Sequence, residues 1–237
     1  MIKTGDQHLN QLKDGRVVYI GDEKINDVTT HPAFKNAAKT VAKLYDIKHQ
    51  NKYKNELTFE ENGEIFSSWF LQAKNKNDLR KRSAAHKIIA DQTSGMMRRS
   101  MDHVASFVTG MSTNPDIFDT GKYKFKKNLL NYYNHMKSND IFTSYAVVPP
   151  QAARNPEFYQ KQNLPIPTLS VIDENDEGVV ISGMKMLATS AVFANEIWIG
   201  NLVPLAPDQI KQSITCAIPC NIKGLSLWMR QPLSTHY

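Results

Sequence analysis

The segment "TSGMMRRSMDH" at residues 93–103 places two adjacent arginines just before an aspartate and a histidine. Arginine is always charged and its planar fork of donors suits bidentate contact with anionic oxygens. Arg98 and Arg99 could therefore hold an anionic ligand. They could equally be solvated side chains at a helix start, where the helix dipole does not favour cations. The segment alone leaves both interpretations open.

The only two cysteines, Cys216 and Cys220, are separated by three residues. No nearby histidine and no second cysteine pair completes the tetrahedral ligand set of a zinc site. We therefore expect two buried free thiols, which behave as small apolar side chains. No metal site is predicted.

The net charge of +6 is unevenly distributed along the 237 residues. Residues 1–144 carry 23 Lys and Arg against 16 Asp and Glu, and the remainder carries 6 against 7. The lysines alternate with Asn and Gln in runs typical of solvated helix faces. No known nucleic-acid-binding motif accompanies them, so nucleic acid is not an expected partner.

No apolar run approaches the roughly 18 residues of a membrane helix, so a membrane partner is not expected either. The N-terminus, "MIKTGDQHLNQLKDGR", lacks the apolar core of a secretion signal. These features predict a cytoplasmic protein.

Helical spacing of apolar residues dominates the chain up to about residue 140 and predicts four helices, in residues 30–49, 77–95, 100–111 and 122–140. The predicted N-caps are Thr30 for the first helix, Asn77 or Asp78 for the second, and Ser100 for the third. Gly95 is the predicted stop of the second helix. Between the first two helices, Asn62 and Gly63 predict a hairpin turn.

Beyond residue 140 the pattern changes to strands separated by Pro, Gly and Asn, in residues 142–151, 167–189, 195–205, 212–220 and 224–233. The predicted class is α+β, with a mainly helical domain at residues 1–143 followed by a β domain at residues 144–237. The chain ends directly after its last predicted strand. Because a sheet needs an element packed on its exposed face, we expect that element to come from a second copy, or the chain to be a fragment.

Four blocks of the sequence, in the same order, resemble one family: the oxygenase component of 4-hydroxyphenylacetate 3-monooxygenase. The blocks are residues 1–46, "TSGMMRRSMDHVASFVTG", "SYAVVPPQAAR" and "GMKMLATSAVFANEIWI". The resemblance implies an acyl-CoA-dehydrogenase-like architecture with an N-terminal helical domain, a middle domain built as a β-sandwich or barrel, and a C-terminal four-helix domain. The third domain is missing from this sequence.

The resemblance also implies an activity: hydroxylation of a phenol, such as 4-hydroxyphenylacetate, ortho to its hydroxyl. Members of the family use O2 and reduced FAD (FADH2) that a separate flavin reductase supplies, and they assemble as homo-oligomers, either dimers or tetramers. A cation or donor near the phenol oxygen would favour the reactive phenolate by lowering the phenol pKa. Apolar walls would keep water away from the reduced flavin.

The resemblance places the substrate contacts at Arg99, His103 and Tyr145. Arg99 would supply charge and hydrogen bonds to the phenol oxygen. His103 stands where the family usually has tyrosine, and Tyr145 stands where it usually has histidine. A phenol hydroxyl can donate a hydrogen bond but is not a cation at neutral pH. The two departures predict a changed substrate or a weakened activity.

The resemblance places the flavin contacts at Gln151, Ala152, Ala153, Arg154 and Thr189. Gln151 would offer its amide to the isoalloxazine edge, and the two alanines would allow close backbone approach. Arg154 would suit the pyrophosphate or an interdomain contact, and the Thr189 hydroxyl would face the flavin N5 or O4 region. The Met-rich run at residues 184–187 is predicted to be core instead.

Two alternatives remain beside the phenol hydroxylase. The 4-hydroxybutyryl-CoA dehydratases have a similar N-terminal pattern, but they need cluster-ligating cysteines in the stretch equivalent to residues 94–103, which has none. The other alternative is a catalytically inactive remnant that acts at most as a binding or oligomerisation module. The sequence leaves this second alternative open.

Overall fold

The computed structural model describes residues 1–97, 99–164, 166–202, 205 and 207–231. Within these residues the chain forms seven α-helices and twelve short strands, which confirms the predicted α+β class. None of the described helices is both long enough and apolar enough to cross a lipid bilayer.

The helices are α1 Gly5–Gln11, α2 Lys35–Asp46, α3 Asn51–Leu57, α4 Lys76–Gln92, α5 Asp102–Ser112, α6 Lys126–Asn139 and α7 Pro156–Lys161. The strands are β1 Val17–Ile20, β2 Glu23–Ile25, β3 Thr58–Glu61, β4 Glu64–Ser67, β5 Asp119–Thr120, β6 Tyr123–Lys124, β7 Thr143–Ala146, β8 Ser170–Asn175, β9 Gly178–Ser182, β10 Glu196–Ile199, β11 Cys216–Pro219 and β12 Ser226–Met229.

Contacts group these elements into two compact units. The first unit contains Met1–Ser144, Ser190–Glu196 and the described residues from Pro219 onward; the second contains Tyr145–Thr189 and Ile197–Ile218. The chain thus leaves the first unit after Ser144 and returns to it twice. The domain limits 1–143 and 144–237 stay a prediction.

Helix α2 begins later than its sequence pattern indicates. The predicted cap at Thr30 is wrong, because the helix starts at Lys35 without a side-chain cap. The preceding residues instead form a turn around Asp27: its carboxylate accepts from the Thr29 N–H at 2.7 Å, and its carbonyl accepts from the His31 N–H at 3.0 Å. The predicted apolar face is confirmed, since α2 buries Ala38, Val41, Ala42, Leu44 and Tyr45.

Helix α4 is capped by Asn75, two residues before Asn77 and three before Asp78, so the predicted cap is wrong. The Asn75 side chain accepts from the backbone N–H groups of Asn77 at 2.8 Å and Asp78 at 3.1 Å, which satisfies two of the helix's unpaired donors. The predicted stop is confirmed: Gly95 has φ +71° and donates to the Ala90 carbonyl at 2.9 Å. A left-handed residue at this place favours glycine, which carries no Cβ.

Helix α5 begins at Asp102, and the predicted cap at Ser100 is wrong. No side chain caps this helix at Met101, its N-cap residue. The Ser100 hydroxyl instead donates to the Asp102 carboxylate at 2.5 Å. The Ser100 hydroxyl therefore holds the Asp102 side chain and does not cap the backbone N–H groups of the first helical turn.

The predicted hairpin is confirmed. Strands β3 and β4 pair antiparallel around Asn62 and Gly63, which have φ of +54° and +80°. Positive φ at both central residues is the backbone of the tight turn that Asn-Gly favours.

A three-stranded sheet in the order β12-β1-β2 pairs residues 226–229 with residues 17–20, which are far apart in the sequence. Strand β1 pairs parallel with β12, with Val17 opposite Ser226, and antiparallel with β2. Strand β12 was predicted as a strand of the β domain, but it pairs within the first unit. Helix α1 and strands β1 and β2 were not predicted from the sequence.

An ion pair lies inside the first unit, between Lys48 and Asp140, whose side chains are 0% and 2% exposed. The Ser67 hydroxyl donates to the other carboxylate oxygen of Asp140 at 2.7 Å. The Lys48 ammonium also lies 4.2 Å from the ring centre of Tyr45 and 5.0 Å from that of Trp69. The charges are thus buried but surrounded by polar and aromatic partners.

A second three-stranded sheet has the order β11-β10-β7, and strands β8 and β9 of the second unit form a separate antiparallel hairpin. An isolated bridge joins Val148 to Met186. Gly183, just after β9, has φ +127°, and a Cβ there would lie 2.2 Å from the Thr168 carbonyl oxygen. Only glycine fits this close approach of two backbones.

Both cysteines are free, as predicted. Cys220 is buried, and burial raises the pKa of its thiol to about 12. Cys216 is half-buried. The expectation of full burial therefore holds for Cys220 only.

Candidate active site

The first unit carries two of the predicted substrate contacts, Arg99 and His103. Arg99 is exposed, in the bend that leads into α5. His103 lies in the first turn of α5 and is half-buried, with its ring edge-on to Phe107 at 5.9 Å between ring centres. The neighbouring Arg98 falls outside the described residues.

His103 is a neutral imidazole at neutral pH. Burial lowers the pKa of its ring below the ordinary value of 6.5, the positive charge of Arg99 lowers it further, and Asp102 opposes the shift only in part. Arg99 and His103 are four residues apart, on either side of the start of α5, and the charge of Arg99 acts on the His103 ring. The start of α5 therefore presents a permanent cation beside a neutral group that can donate or accept a hydrogen bond.

Asp102, between these two residues, belongs to a hydrogen-bonded cluster. Its Oδ2 lies 2.6 Å from Nδ1 of His86 on α4, and its Oδ1 accepts from Ser100. The other ring nitrogen of His86 lies 3.2 Å from the Ser106 hydroxyl. No local sequence signal marks this cluster, because His86 and Asp102 are 16 residues apart on different helices.

Tyr145 belongs to the second unit. It lies on β7, where it is half-buried between the buried Ser144 and Ala146. Because successive side chains of a strand point to opposite faces of its sheet, Tyr145 lies on the face opposite to that of Ser144 and Ala146.

The predicted flavin contacts also belong to the second unit. Residues 151–154 form a 3₁₀ turn directly after Pro150, closed by a hydrogen bond from the Ala153 N–H to the Pro150 carbonyl at 3.0 Å. Gln151 and Ala152 are exposed and Ala153 is half-buried. The side chain of Arg154 falls outside the part of the chain that the structure describes.

Thr189 is exposed and lies between two residues with left-handed backbones, Leu187 at φ +61° and Ser190 at φ +63°. Its N–H donates to the Leu187 carbonyl at 2.9 Å. Such backbones in non-glycine residues cost free energy and are concentrated at binding sites. Thr189 therefore lies in a tight turn and not in a paired strand.

The prediction that residues 184–187 belong to the core is wrong for two of its members. Met184 is 53% exposed and Leu187 is 66% exposed, whereas Met186 is half-buried and bridges to Val148. The left-handed backbone at Leu187 ends the strand pattern and leaves its side chain outside. An apolar exposed surface thus precedes Thr189.

The residues predicted as flavin contacts can be compared with the chemistry of a flavin. Gln151 offers an amide donor and acceptor, the alanines after it leave room for a planar ring, and Thr189 offers a hydroxyl. The exposed apolar side chains of Met184 and Leu187 suit an apolar ring face. These residues are compatible with the predicted FAD.

The family model described as the N-terminal part of 4-hydroxyphenylacetate 3-hydroxylase matches residues 4–236. The oxygenase component of 4-hydroxyphenylacetate 3-monooxygenase from Thermus thermophilus is 34% identical over 237 residues, covering 98% of this chain and 47% of that protein. The oxygenase component of a 4-nitrophenol 2-monooxygenase from a Rhodococcus species is 32% identical over 230 residues, covering 96% and 43%. The chain therefore spans about half the length of these relatives.

Among solved structures, the fold matches the oxygenase component of 4-hydroxyphenylacetate 3-monooxygenase complexed with FAD and 4-hydroxyphenylacetate. The TM-score is 0.85 at 32% identity, and the match covers 95% of this chain and 46% of that one. Likenesses of this kind confirm the predicted acyl-CoA-dehydrogenase-like fold class. With nearly every residue matched by the family model, the chain belongs to the 4-hydroxyphenylacetate 3-hydroxylase family, of which it represents the N-terminal part.

Proposed function

We propose that the protein is the oxygenase component of a two-component, flavin-dependent monooxygenase that hydroxylates a phenol ortho to its hydroxyl. The observation that carries this proposal is the pairing of Arg99 with a neutral His103 at the start of α5. The pairing lies within the part of the chain that the family model matches. It provides what ortho hydroxylation needs: a positive charge for a phenolate and a neutral hydrogen-bonding partner.

Arg99 binds the phenol oxygen and lowers the phenol pKa, because its charge favours the deprotonated form. The phenolate oxygen then releases electron density into the ring, and the ortho carbon becomes the nucleophile. Reduced FAD supplies two electrons and two protons, so that one atom of O2 enters the ring and the other leaves as water. The protein's own contribution is binding, orientation and charge.

His103 orients the phenol by a hydrogen bond without adding a second charge, since its ring is neutral at neutral pH. Tyr145 contributes a phenolic hydroxyl from β7, in place of the histidine of the family pattern. The proposed substrate is a small phenol such as 4-hydroxyphenylacetate or 4-nitrophenol, the compounds named for two relatives.

Gln151, Ala152, Ala153, Arg154 and Thr189 are the proposed FAD contacts. The exposed 3₁₀ turn and the threonine in its tight turn support this assignment, because both present polar groups beside small or apolar side chains. A separate flavin reductase delivers the reduced FAD, and the protein acts as a homo-oligomer. Both the reductase and the homo-oligomer are proposed from the resemblance to the two-component family.

The test supplies chemically reduced FAD, O2 and either phenol to the purified protein and measures the ortho-hydroxylated product by chromatography. We expect product from the wild type and a loss of at least about tenfold in kcat/KM for Arg99→Gln, since one unit of phenol pKa corresponds to a factor of ten. The control is Arg80→Gln, an exposed arginine on α4. An equal kcat/KM in the wild type and in Arg99→Gln would contradict the proposed role of Arg99.

The second candidate is a binding or oligomerisation module without turnover. It is favoured by the alignment, which covers only 47% of the Thermus thermophilus relative. Titration of reduced FAD, followed by flavin fluorescence under anaerobic conditions, separates the two candidates. Micromolar binding together with product supports the monooxygenase, and no detectable FAD binding supports the module.

A further inference from the structure

A chain of three hydrogen bonds, two of which join helix α4 to helix α5, is not yet used by the proposed reaction. Asp102 accepts from Ser100 at 2.5 Å and is paired with Nδ1 of His86 at 2.6 Å. Nε2 of His86 lies 3.2 Å from the Ser106 hydroxyl. The Asp102 side chain is 16% exposed and the His86 side chain 36%, so water competes little for the carboxylate.

The charge states follow from these contacts. Burial raises the pKa of Asp102, but the hydrogen bonds from His86 and Ser100 outweigh burial and hold this pKa below its ordinary value. Asp102 is therefore ionised and accepts only. In the neutral imidazole, Nδ1 then carries the proton and donates to Asp102, which leaves Nε2 to accept from the Ser106 hydroxyl.

The order serine, histidine, aspartate is also that of an acyl-transfer triad, but the backbone around Ser106 does not fit that chemistry. Ser106 lies in the second turn of α5, where backbone N–H groups bond to carbonyls one turn back. Acyl transfer needs such donors aimed at a developing oxyanion. The cluster instead resembles the supporting hydrogen bonds that hold a binding side chain in one orientation.

The residues that the cluster holds are the immediate neighbours of the phenol contacts. Ser100 follows Arg99 directly, Asp102 precedes His103 directly, and the residue between, Met101, is 1% exposed. His86 thus anchors, from a different helix, the carboxylate that lies between the two proposed contacts. Without it, the first turn of α5 would lose its link to α4.

We propose that His86 is a positioning residue of the phenol site, which acts through Asp102 to hold Arg99 and His103 in their binding geometry. The proposal rests on the proposed function. It predicts that loss of the His86–Asp102 hydrogen bond weakens binding of a phenolate more than it weakens the fold.

The test uses the flavin-free protein and 4-nitrophenol, whose phenolate absorbs visible light while the neutral phenol does not. The dissociation constant and the ionised fraction of the bound ligand are measured for the wild type, His86→Phe and His86→Asn. Phenylalanine keeps a ring but removes both hydrogen bonds. Asparagine places an amide donor near the position of Nδ1. We expect His86→Phe to raise the dissociation constant about tenfold and lower the ionised fraction, and His86→Asn to restore most of both.

The matched control is His135→Phe, which removes another histidine–carboxylate pair, with Glu196 at 2.7 Å, from α6. It should change neither reading. Thermal unfolding is measured for every variant, because a purely structural role would lower the melting temperature without changing the ionised fraction of bound ligand. If His86→Phe does not fold, Ser100→Ala, which removes the other donor to Asp102, is measured in its place and should weaken binding in the same direction.

Unchanged affinity and ionised fraction in a folded His86→Phe protein would overturn the positioning role and leave the proposed function standing. Failure of Ser100→Ala to weaken binding would do the same where it replaces His86→Phe. A wild-type protein that binds no 4-nitrophenol, and no 4-hydroxyphenylacetate in a parallel calorimetric titration, would overturn the proposed function as well. The two failures are therefore distinguishable.

Discussion

In the proposed phenol site, Arg99 and His103 have different charges and therefore different roles. Burial and the nearby guanidinium lower the pKa of His103, so this ring takes up a proton only at acidic pH. Of the two, Arg99 alone presents positive charge at neutral pH. The electrostatic part of phenol activation should therefore depend on Arg99, and the orientation of the phenol on His103.

Replacement of Arg99 by glutamine tests this division at the level of one charge. We expect the pKa of bound 4-nitrophenol to rise by about one unit in Arg99→Gln, because an opposite charge near an ionisable group shifts its pKa by about one to three units and Arg99 is exposed. Arg99→Lys should give an intermediate shift, since lysine keeps the charge but not the bidentate geometry. The absorbance of the bound phenolate as a function of pH measures both.

Arg80→Gln is the control, because it removes one exposed arginine from α4 without touching the 99–103 segment. An equal shift in both variants would mean that the general field of this basic chain, and not a local contact, sets the phenol pKa. No shift in either would contradict the role of Arg99.

The sequence predicts Arg99 and His103 as phenol contacts through the family resemblance of residues 93–103, and this assignment stays a prediction. The sequence could not identify the His86–Asp102 pair. These two residues lie 16 positions apart and meet only in the folded chain, and a single histidine within a polar helix carries no sign of its partner. Exposure at Met184 and Leu187 was unpredictable for a similar reason: the left-handed backbone at Leu187 is not encoded by its residue type.

Among secondary-structure elements, types were predictable and ends were not. Apolar periodicity identified α2, α4, α5 and α6, but the N-caps predicted for the first three of these helices were all wrong. Helices α2 and α5 begin without a side-chain cap, and α4 is capped by the neighbouring Asn75. Strand β1 was missed entirely. It has four residues, and its partner β12 lies more than 200 residues away in the sequence, so no local pattern indicates the pairing.

The cap of α4 gives a prediction at this scale. Asn75→Ala should lower the free energy of unfolding by about 1 kcal/mol, because two backbone donors lose their acceptor. Asn77→Ala removes a nearby asparagine that the sequence indicated as the cap, and should change stability by less than about 0.5 kcal/mol. Urea unfolding of the two variants, followed by circular dichroism, measures the difference.

Equal losses in Asn75→Ala and Asn77→Ala would show that asparagine content, and not capping geometry, stabilises the helix start. A larger loss of unfolding free energy in Asn77→Ala would show that Asn77, the position that the sequence indicated, is the cap. Because α4 carries His86, the same variants also report how strongly the helix start and the phenol site are coupled.

The first unit as a whole is held by contacts between distant parts of the chain. Arg16 donates to the carbonyls of Val192 at 3.1 Å and Ala194 at 2.7 Å, so the segment 190–196 is tied to the residues after α1. The Lys48–Asp140 pair joins residues 92 positions apart. Burial raises the pKa of Asp140, but the Lys48 ammonium outweighs burial and keeps this pKa below its ordinary value, so the carboxylate is ionised. Burial lowers the pKa of Lys48, and the charge of Asp140 opposes that shift.

Removing one partner of this pair should be costly. Lys48→Met leaves a carboxylate buried without its counter-charge, and we expect a loss of about 3–5 kcal/mol in the free energy of unfolding. The double variant with Asp140→Asn removes both charges and should recover a large part of the loss. Urea unfolding of both variants measures this coupling, and a double variant no more stable than Lys48→Met would contradict it.

The pH dependence of the whole unit should be dominated on the acidic side by His8. This ring is fully buried, stacks on Tyr45 at 4.4 Å between ring centres, and hydrogen-bonds through Nε2 to the Phe193 carbonyl at 3.0 Å. Its Nδ1 is buried with no hydrogen-bond partner among the residues that the structure describes. Burial, and next the charge of Lys3, lower the pKa of His8 to about 3. A proton on Nδ1 would have no acceptor.

The sign of the effect follows from proton binding. Below about pH 6.5 the unfolded chain protonates His8 while the folded chain does not, so the unfolded state binds more protons and stability falls as the pH falls toward 3. His8→Gln keeps an amide donor for the Phe193 carbonyl but does not titrate. Between pH 6 and pH 4, the wild type should therefore lose about 2 kcal/mol more stability than His8→Gln. A slope that persists in His8→Gln would contradict this assignment and place the acid sensitivity in other groups. Because His8 contacts the segment that returns 185 residues later, its protonation would loosen the point where the chain re-enters the first unit.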